Sequence, residues 1–463
     1  MKKSLSLLSC NTTRKTMKSL RHTRIHGLRA TLCRALLPLG LLLLAMPAFG
    51  QTYFSNANVT CAGTITRNES GHLYHYMKTG STSGVLLTTC TPTSLGLSYS
   101  AISISGYNIQ DFTIVGDTVY ICGEDASGKG FYGWSTLAGF PNATWNIYKI
   151  YSSIFSYTTD VKRIRVFRSN GDLHVLLVGR YYNVLSHLNM GSIIHVKNNN
   201  QCTIAYSLIE YFDDIAVLDH YVATASRKYS NNTHPLCMRV LSKNNFSLSN
   251  GLFGYYYVWG VQETLSRIQL QNVGSDRFVS VYNNDTAFYI NTYTVSSDYL
   301  HLHNYCTINT DSIPIISDIA YNDADKTIEI LYNVNNVGFA SILDCNLYPY
   351  LFLDDYCYYP DFAGLLPNNA YLTSVAKKSS GEYSVTGING NKMILWDMPN
   401  GCEMSVQNDM YKRESSISQA WDTVNKTTMT LHQQTLTSPV TTVAFTEACY
   451  TISHDGNKSD GEE

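Results

Sequence analysis

The stretch from Arg163 to Ser207, RIRVFRSNGDLHVLLVGRYYNVLSHLNMGSIIHVKNNNQCTIAYS, is a unit that most of the chain repeats with variation. An alternating run (Ile164, Val166) leads into the turn Ser169-Asn170-Gly171-Asp172, and a continuous apolar run, Leu173 to Val178, follows. After a second connection come Ile193, Ile194 and Val196, then a polar loop, then a short run (Ile204, Tyr206) opened by Cys202. Apolar runs of this length bounded by turn residues predict four antiparallel strands in up-and-down order.

Copies of the unit can be aligned on the tip of their first hairpin. The tips fall near Ser70, Asp117, Asn170, Asp219, Ser275, Ala324, Ser380 and Asn425, so successive spacings are 47, 53, 49, 56, 49, 56 and 45. Eight units are counted directly; seven, with the N-terminal hairpins serving as closure, is the alternative. The last unit is AWDTVNKTTMTLHQQTLTSPVTTVAF, with its hairpin tip at Asn425. One position recurs: Cys90, Cys202, Cys306, Cys345, Cys402 and Cys449 each follow a third run and open a fourth. Buried small side chains at one register position explain this better than a ladder of bridges, because equivalent positions on neighbouring sheets stand too far apart for a disulfide.

Four-strand repeats near fifty residues resemble β-propeller repeats in general, with no WD-repeat or kelch signature among them. The resemblance implies an all-β fold of four-stranded antiparallel blades. Runs such as LHVLLVG, VYICG, TIEIL and MILW fit middle strands covered on both faces. Such sheets leave apolar faces wet unless the ring closes.

The first fifty residues differ from the rest. They hold nine Lys or Arg and no Asp or Glu, then the apolar run Ala35 to Met46 and the small-residue ending Ala48-Phe49-Gly50. That order predicts a secretory signal peptide with cleavage near Gly50, the start lying at Met1 or Met17. The leader resembles those of exported Bacteroidetes proteins, which often expose a glutamine such as Gln51. The chain thus divides into a leader (1–50), a propeller domain (51–453) and an acidic tail (454–463). The expected location is the periplasm, cell surface or exterior.

Taking the nine leader cations from 33 Lys and Arg leaves 24 against 35 Asp and Glu. An acidic balance without basic blocks disfavours a nucleic-acid partner, and no second long apolar segment predicts a transmembrane span. Ten cysteines remain after cleavage, an even number that permits disulfides in an exported chain, Cys345 and Cys357 being the nearest pair.

Catalytic signatures are absent: no H-E-x-x-H, no phosphate-binding loop, no G-x-S-x-G and no Asp-box. His301 and His303 alternate on a run, and Asp323 and Asp325 sit at a hairpin tip. Both are more simply exposed strand and turn residues than metal ligands, and no cofactor is implied. The informative feature is aromatic enrichment in the inter-unit connections. Tyr255, Tyr256, Tyr257 and Trp259 lie between the fourth and fifth units, and Tyr348, Tyr350, Asp354, Asp355, Tyr356, Tyr358 and Tyr359 between the sixth and seventh. Tyr181 and Tyr182 fall in a connection of the Arg163 unit. Such rings stack on sugars and anchor proteins. The expectation is a secreted binding or interaction module for a glycan or protein ligand at the bacterial surface. The alternatives are a propeller enzyme acting on carbohydrate and a structural subunit of a surface assembly. A carboxylate pair in the central mouth would favour the enzyme.

Overall fold

A computed structural model describes residues 52 to 447, except for short stretches, the longest of which are 345–356, 359–369 and 399–409. The leader and the tail lie outside the described residues. The fold is all-β, with no helix among those residues.

Strand β1 spans Thr52–Asn58. Strands β2 (Thr64–Glu69), β3 (His72–Gly80), β4 (Ser83–Thr93) and β5 (Gly96–Ser105) then pair in succession, each antiparallel to the next. The pattern repeats in β6 (Tyr107–Val115), β7 (Thr118–Asp125), β8 (Gly130–Thr136) and β9 (Asn142–Ser153). It repeats again in β10 (Ser156–Ser169), β11 (Asp172–Asn183), β12 (Leu188–Lys197) and β13 (Gln201–Ser207). A fourth group is β14 (Glu210–Val217), β15 (Tyr221–Lys228), β16 (Leu236–Ser242) and β17 (Gly251–Val258). A fifth is β18 (Ile268–Asn272), β19 (Arg277–Asn284), β20 (Ala287–Ser296) and β21 (Tyr299–Asn309). A sixth is β22 (Ile315–Asn322), β23 (Thr327–Val334), β24 (Val337–Asp344) and β25 (Cys357–Tyr358). In the last group β26 (Tyr371–Lys377), β27 (Tyr383–Asn389) and β28 (Lys392–Met398) take β1 as their fourth strand, so the chain's first strand completes its last meander.

Local chemistry fixes these hairpins. Between β10 and β11, Asn170 and Gly171 have φ of 51° and 85°, the mirror-image turn whose twist matches the flanking strands. Seven of the tips read from sequence fall between the first and second strands of a group.

The eighth does not. Asn425 lies in mid-strand opposite Tyr206, in β30 (Ile417–Met429). With β29 (Met410–Tyr411) and β31 (Leu431–Glu447), this strand forms an outer belt rather than an eighth meander. The belt pairs in turn with β21, β17, β13, β9, β5 and β1, visiting the groups in reverse chain order. The Thr-rich run is strand-forming along its length, and the outer strand of each group offers an unpaired row of N–H and C=O groups. Covering those edges wins over forming a hairpin.

The core lies between groups. Seven apolar clusters each join one group to the next: Ile121 and Trp145 with Leu86 and Ile102, Val175 and Leu177 with Tyr132 and Tyr148, and so on, to Leu395 and Met393 with Met77 and Leu87. Middle strands are buried on both faces, as in β11, where residues 173–179 are all buried. No disulfide joins two described residues. Cys122 and Cys202 are buried free thiols, pushed up by burial, Cys202 to about 12, which suits core residues rather than reactive ones.

Candidate functional site

The first strands of the seven groups face one another, each touching the next, and β26 touches β2. Five of them, β6, β10, β14, β22 and β26, carry a register shift at the same place, ending at Asp111, Arg163, Asp214, Asp318 and Ser374. A bulge re-aims the side chain that follows it. In four of the five, all but β10, it turns an oxygen toward the neighbouring first strand. Asp111 Oδ2 accepts from the Ile164 N–H at 3.2 Å, Asp214 Oδ2 from Leu270 at 2.9 Å, Asp318 Oδ2 from Val375 at 3.2 Å, and Ser374 Oγ from Thr66 at 3.0 Å. Gln269, on the unbulged β18, makes the reverse contact, its Nε2 donating to the Ser317 carbonyl at 2.8 Å. These bonds satisfy backbone groups of the inner strands.

Arginines stand between the carboxylates. Arg67 reaches Asp111 at 2.7 Å and Asp318 at 3.5 Å, and Arg165 reaches Asp111 at 2.9 Å and Asp214 at 3.3 Å. Burial alone would raise the Asp111 carboxyl, but Arg67, Arg165, Arg163 and the Ile164 N–H together hold it below its ordinary range. Burial likewise works against the Arg165 charge, and Asp214 and Asp111 outweigh it, so its pKa is raised.

Two cavities of about 420 Å³ each open along these strands and share Arg67, Arg163 and Asp318 in their walls. One lies at the N-terminal ends of the inner strands, lined by Gln110, Ser317, Tyr371 and Thr373 among others. The second lies at the C-terminal ends, beside Thr113, Gln271, Tyr321 and Lys377. In the first cavity, Asp213 is gripped by Arg227 through Nε at 2.6 Å and Nη2 at 2.9 Å and by Lys162 at 3.1 Å, and Asp160 pairs with Arg180 at 3.2 Å. Arg163 Nε stands 3.3 Å from Asp214 without the geometry of a hydrogen bond. Arg267 lines the same wall and makes no hydrogen bond or ion pair among the described residues. Burial, with the Arg163 charge nearby, pulls its pKa down to about 10, against the opposing pull of Asp214, Asp318 and Asp213. It stays a cation at neutral pH.

The aromatic clusters fall elsewhere. Tyr255, Tyr256 and Tyr257 belong to β17, a strand between β16 and the belt, rather than to a connection. Tyrosine and valine at successive positions suit a pleated outer strand. Tyr256 is 6% exposed and packs with Met238, Val258 and Ile268 in the core. Tyr358 lies in β25 opposite Ile342. Trp259, Tyr348, Tyr350, Asp354, Asp355, Tyr356 and Tyr359 lie outside the described residues. Tyr181 and Tyr182 lie in β11, Tyr181 buried and Tyr182 beside Tyr157 at 5.3 Å between ring centres. His303 bonds to Thr294 at 2.7 Å, and Asp323 pairs with Lys326 at 2.5 Å. No helix among the described residues is long and apolar enough to cross a membrane.

Sequence reasoning passed over the inner-strand charges. Their signal was a recurring acid followed by an apolar residue, Asp111-Phe112, Asp214-Ile215 and Asp318-Ile319, five or six residues before a hairpin tip.

No family model matches the sequence, and no curated protein does. Among solved structures, the chain is similar to the crystal structure of a proposed 6-phosphogluconolactonase from Bacteroides fragilis, at 8% identity and a TM-score of 0.36, covering 80% of this chain and 99% of that one. A likeness at that level assigns neither fold nor activity to this chain.

Proposed function

We propose that the protein is an exported seven-bladed β-propeller that binds a polar, sugar-sized ligand in the cavity at the N-terminal ends of its inner strands. Seven apolar clusters, one at each junction between successive groups, support the blade count, and β1 serves as the closing strand of the seventh blade. The basic, apolar, small-residue order of residues 1–50 and the resemblance to exported Bacteroidetes proteins support export to the periplasm or cell surface.

The observation that carries the ligand reading is the cavity's lining. It is about 420 Å³, within the range of small-molecule sites, and is walled by hydroxyl, amide and charged groups. Binding is favoured over glycoside hydrolysis because each carboxylate of the described wall is already engaged by a cation: Asp160 by Arg180, Asp213 by Arg227 and Lys162, and Asp318 by Arg67. A hydrolase needs one carboxyl kept protonated to serve as an acid. In this reading the tyrosines of β17 build the outer strand and the ligand enters the cavity.

The test is a glycan array with residues 51–463 and with Gln110→Trp. Gln110 lies at the bulge of β6 and lines the cavity, so a larger ring there fills the space without breaking an ion pair. Loss of array binding with an unchanged melting temperature is expected. Equal binding by the plugged variant would place the ligand elsewhere.

A further inference from the structure

We infer that the cavity selects a ligand carrying an oxyanion, a carboxylate or phosphate on a sugar-sized polyol, and that Arg267 is the group that receives it. The inference rests on the cavity being the ligand site. Five cations, Arg67, Lys162, Arg163, Arg227 and Arg267, line it against three carboxylates, Asp160, Asp213 and Asp318. All three carboxylates are taken by other cations at 2.6 to 3.5 Å. Arg267 alone of the five cations has neither a hydrogen bond nor an ion pair among the described residues, although it sits half-buried beside Arg163.

A half-buried guanidinium without an acceptor destabilises the fold unless a ligand supplies one. Its planar fork matches the two oxygens of a carboxylate or phosphate, which a neutral hydroxyl cannot match. The surplus of positive charge is local, since the chain without its leader keeps 24 basic against 35 acidic residues. An otherwise acidic molecule therefore directs anions to this cavity. Gln110, Ser317, Tyr371 and Thr373 on the same wall supply partners for the hydroxyls of a sugar ring.

The experiment is calorimetric titration of residues 51–463 with glucuronate, glucose 1-phosphate and glucose, repeated on Arg267→Met, Arg267→Lys and Gln110→Trp. At least one of the two anionic probes should bind while glucose does not, and which one binds separates the carboxylate from the phosphate source. Arg267→Met should weaken that binding by at least about tenfold, with Arg267→Lys in between. Without ligand, Arg267→Met should melt no lower than the parent protein, because an unpaired cation has been removed. Undiminished binding by Arg267→Met, or equal binding of glucose, overturns the inference. If Gln110→Trp still blocks that binding, the cavity reading survives. Binding that neither variant alters removes both. Failure of all three probes to bind at millimolar concentration overturns the oxyanion inference and leaves the cavity reading to the glycan array.

Discussion

The Asp111 carboxylate is fully buried and meets the Arg67 guanidinium at 2.7 Å, joining the first strands of two successive strand groups. It also holds Arg165 at 2.9 Å and the Ile164 N–H at 3.2 Å. Asp111→Ala strips three donors of one acceptor and should destabilise the protein by about 3–5 kcal/mol in chemical denaturation. Because the folded carboxyl is held below its unfolded value, the stabilisation is complete above pH 4 or so and fades as pH falls through the lower folded value. A loss under about 1 kcal/mol at neutral pH would mean that the pairs contribute no more than surface ones.

Buried histidines act over a higher window. His75, bonded to Thr66 at 2.9 Å, and His195, bonded to His174 at 2.9 Å, are both lowered to about 3, chiefly by burial. The unfolded chain takes up protons near pH 6.5 that the folded rings refuse. Stability is therefore full above that value and drops as pH falls toward 3, by up to about 1.4 kcal/mol per pH unit for each ring. Melting temperatures at pH 7.5 and 5.0 should differ for the parent protein, and His195→Gln should narrow the difference. An unchanged difference would assign the pH dependence to other groups.

Glu329 has the opposite sign. It lies on β23, wholly buried, with neither carboxylate oxygen bonded among the described residues, and burial raises its pKa well above 4.5. The folded state keeps a proton that the unfolded state releases, so stability declines as pH rises above about 4.5. Glu329→Leu should stabilise the protein by about 1–3 kcal/mol at neutral pH and by less at pH 4.5. A destabilised variant would indicate that the carboxyl has a partner.

The belt is anchored where its side chains turn inward. Phe445 is 2% exposed and packs edge-on against Tyr99, with 5.4 Å between ring centres, whereas the neighbouring Thr446 is exposed. Phe445→Ala should cost about 3–5 kcal/mol and Thr446→Ala less than about 0.5 kcal/mol. Equal effects would mean that the belt is not packed on the first strand group.

Much of the fold was legible because its signals are local. Ser169-Asn170-Gly171-Asp172 reads as a turn from four residues, and Leu173 to Val178 reads as a covered strand from its unbroken apolar run. The belt was not legible, since Leu436 pairs with Trp145 and Val443 with Tyr99, partners hundreds of residues away that no periodicity announces. The same holds for the inner-strand charges: Arg67 and Asp318 are 251 residues apart in sequence. An aromatic run such as Tyr255 to Tyr257 looks alike whether it lines a loop or an outer strand, and only the pairing with Ala420, Gln419 and Ser418 decides. Charge on an inner strand is a separate signal. An acid or arginine amid strand residues needs a reason to be there, and in this fold the inner wall supplies it.

The most direct test of the account is a crystal structure of residues 51–463 grown with whichever ligand the array or the titrations retain. The account predicts seven blades, with β1 closing the last, and the ligand in the cavity beside Gln110 and Thr373, its oxyanion within hydrogen-bonding distance of Arg267. A ligand seated on the outer belt or on the aromatic strand β17, with the cavity holding water alone, would contradict it.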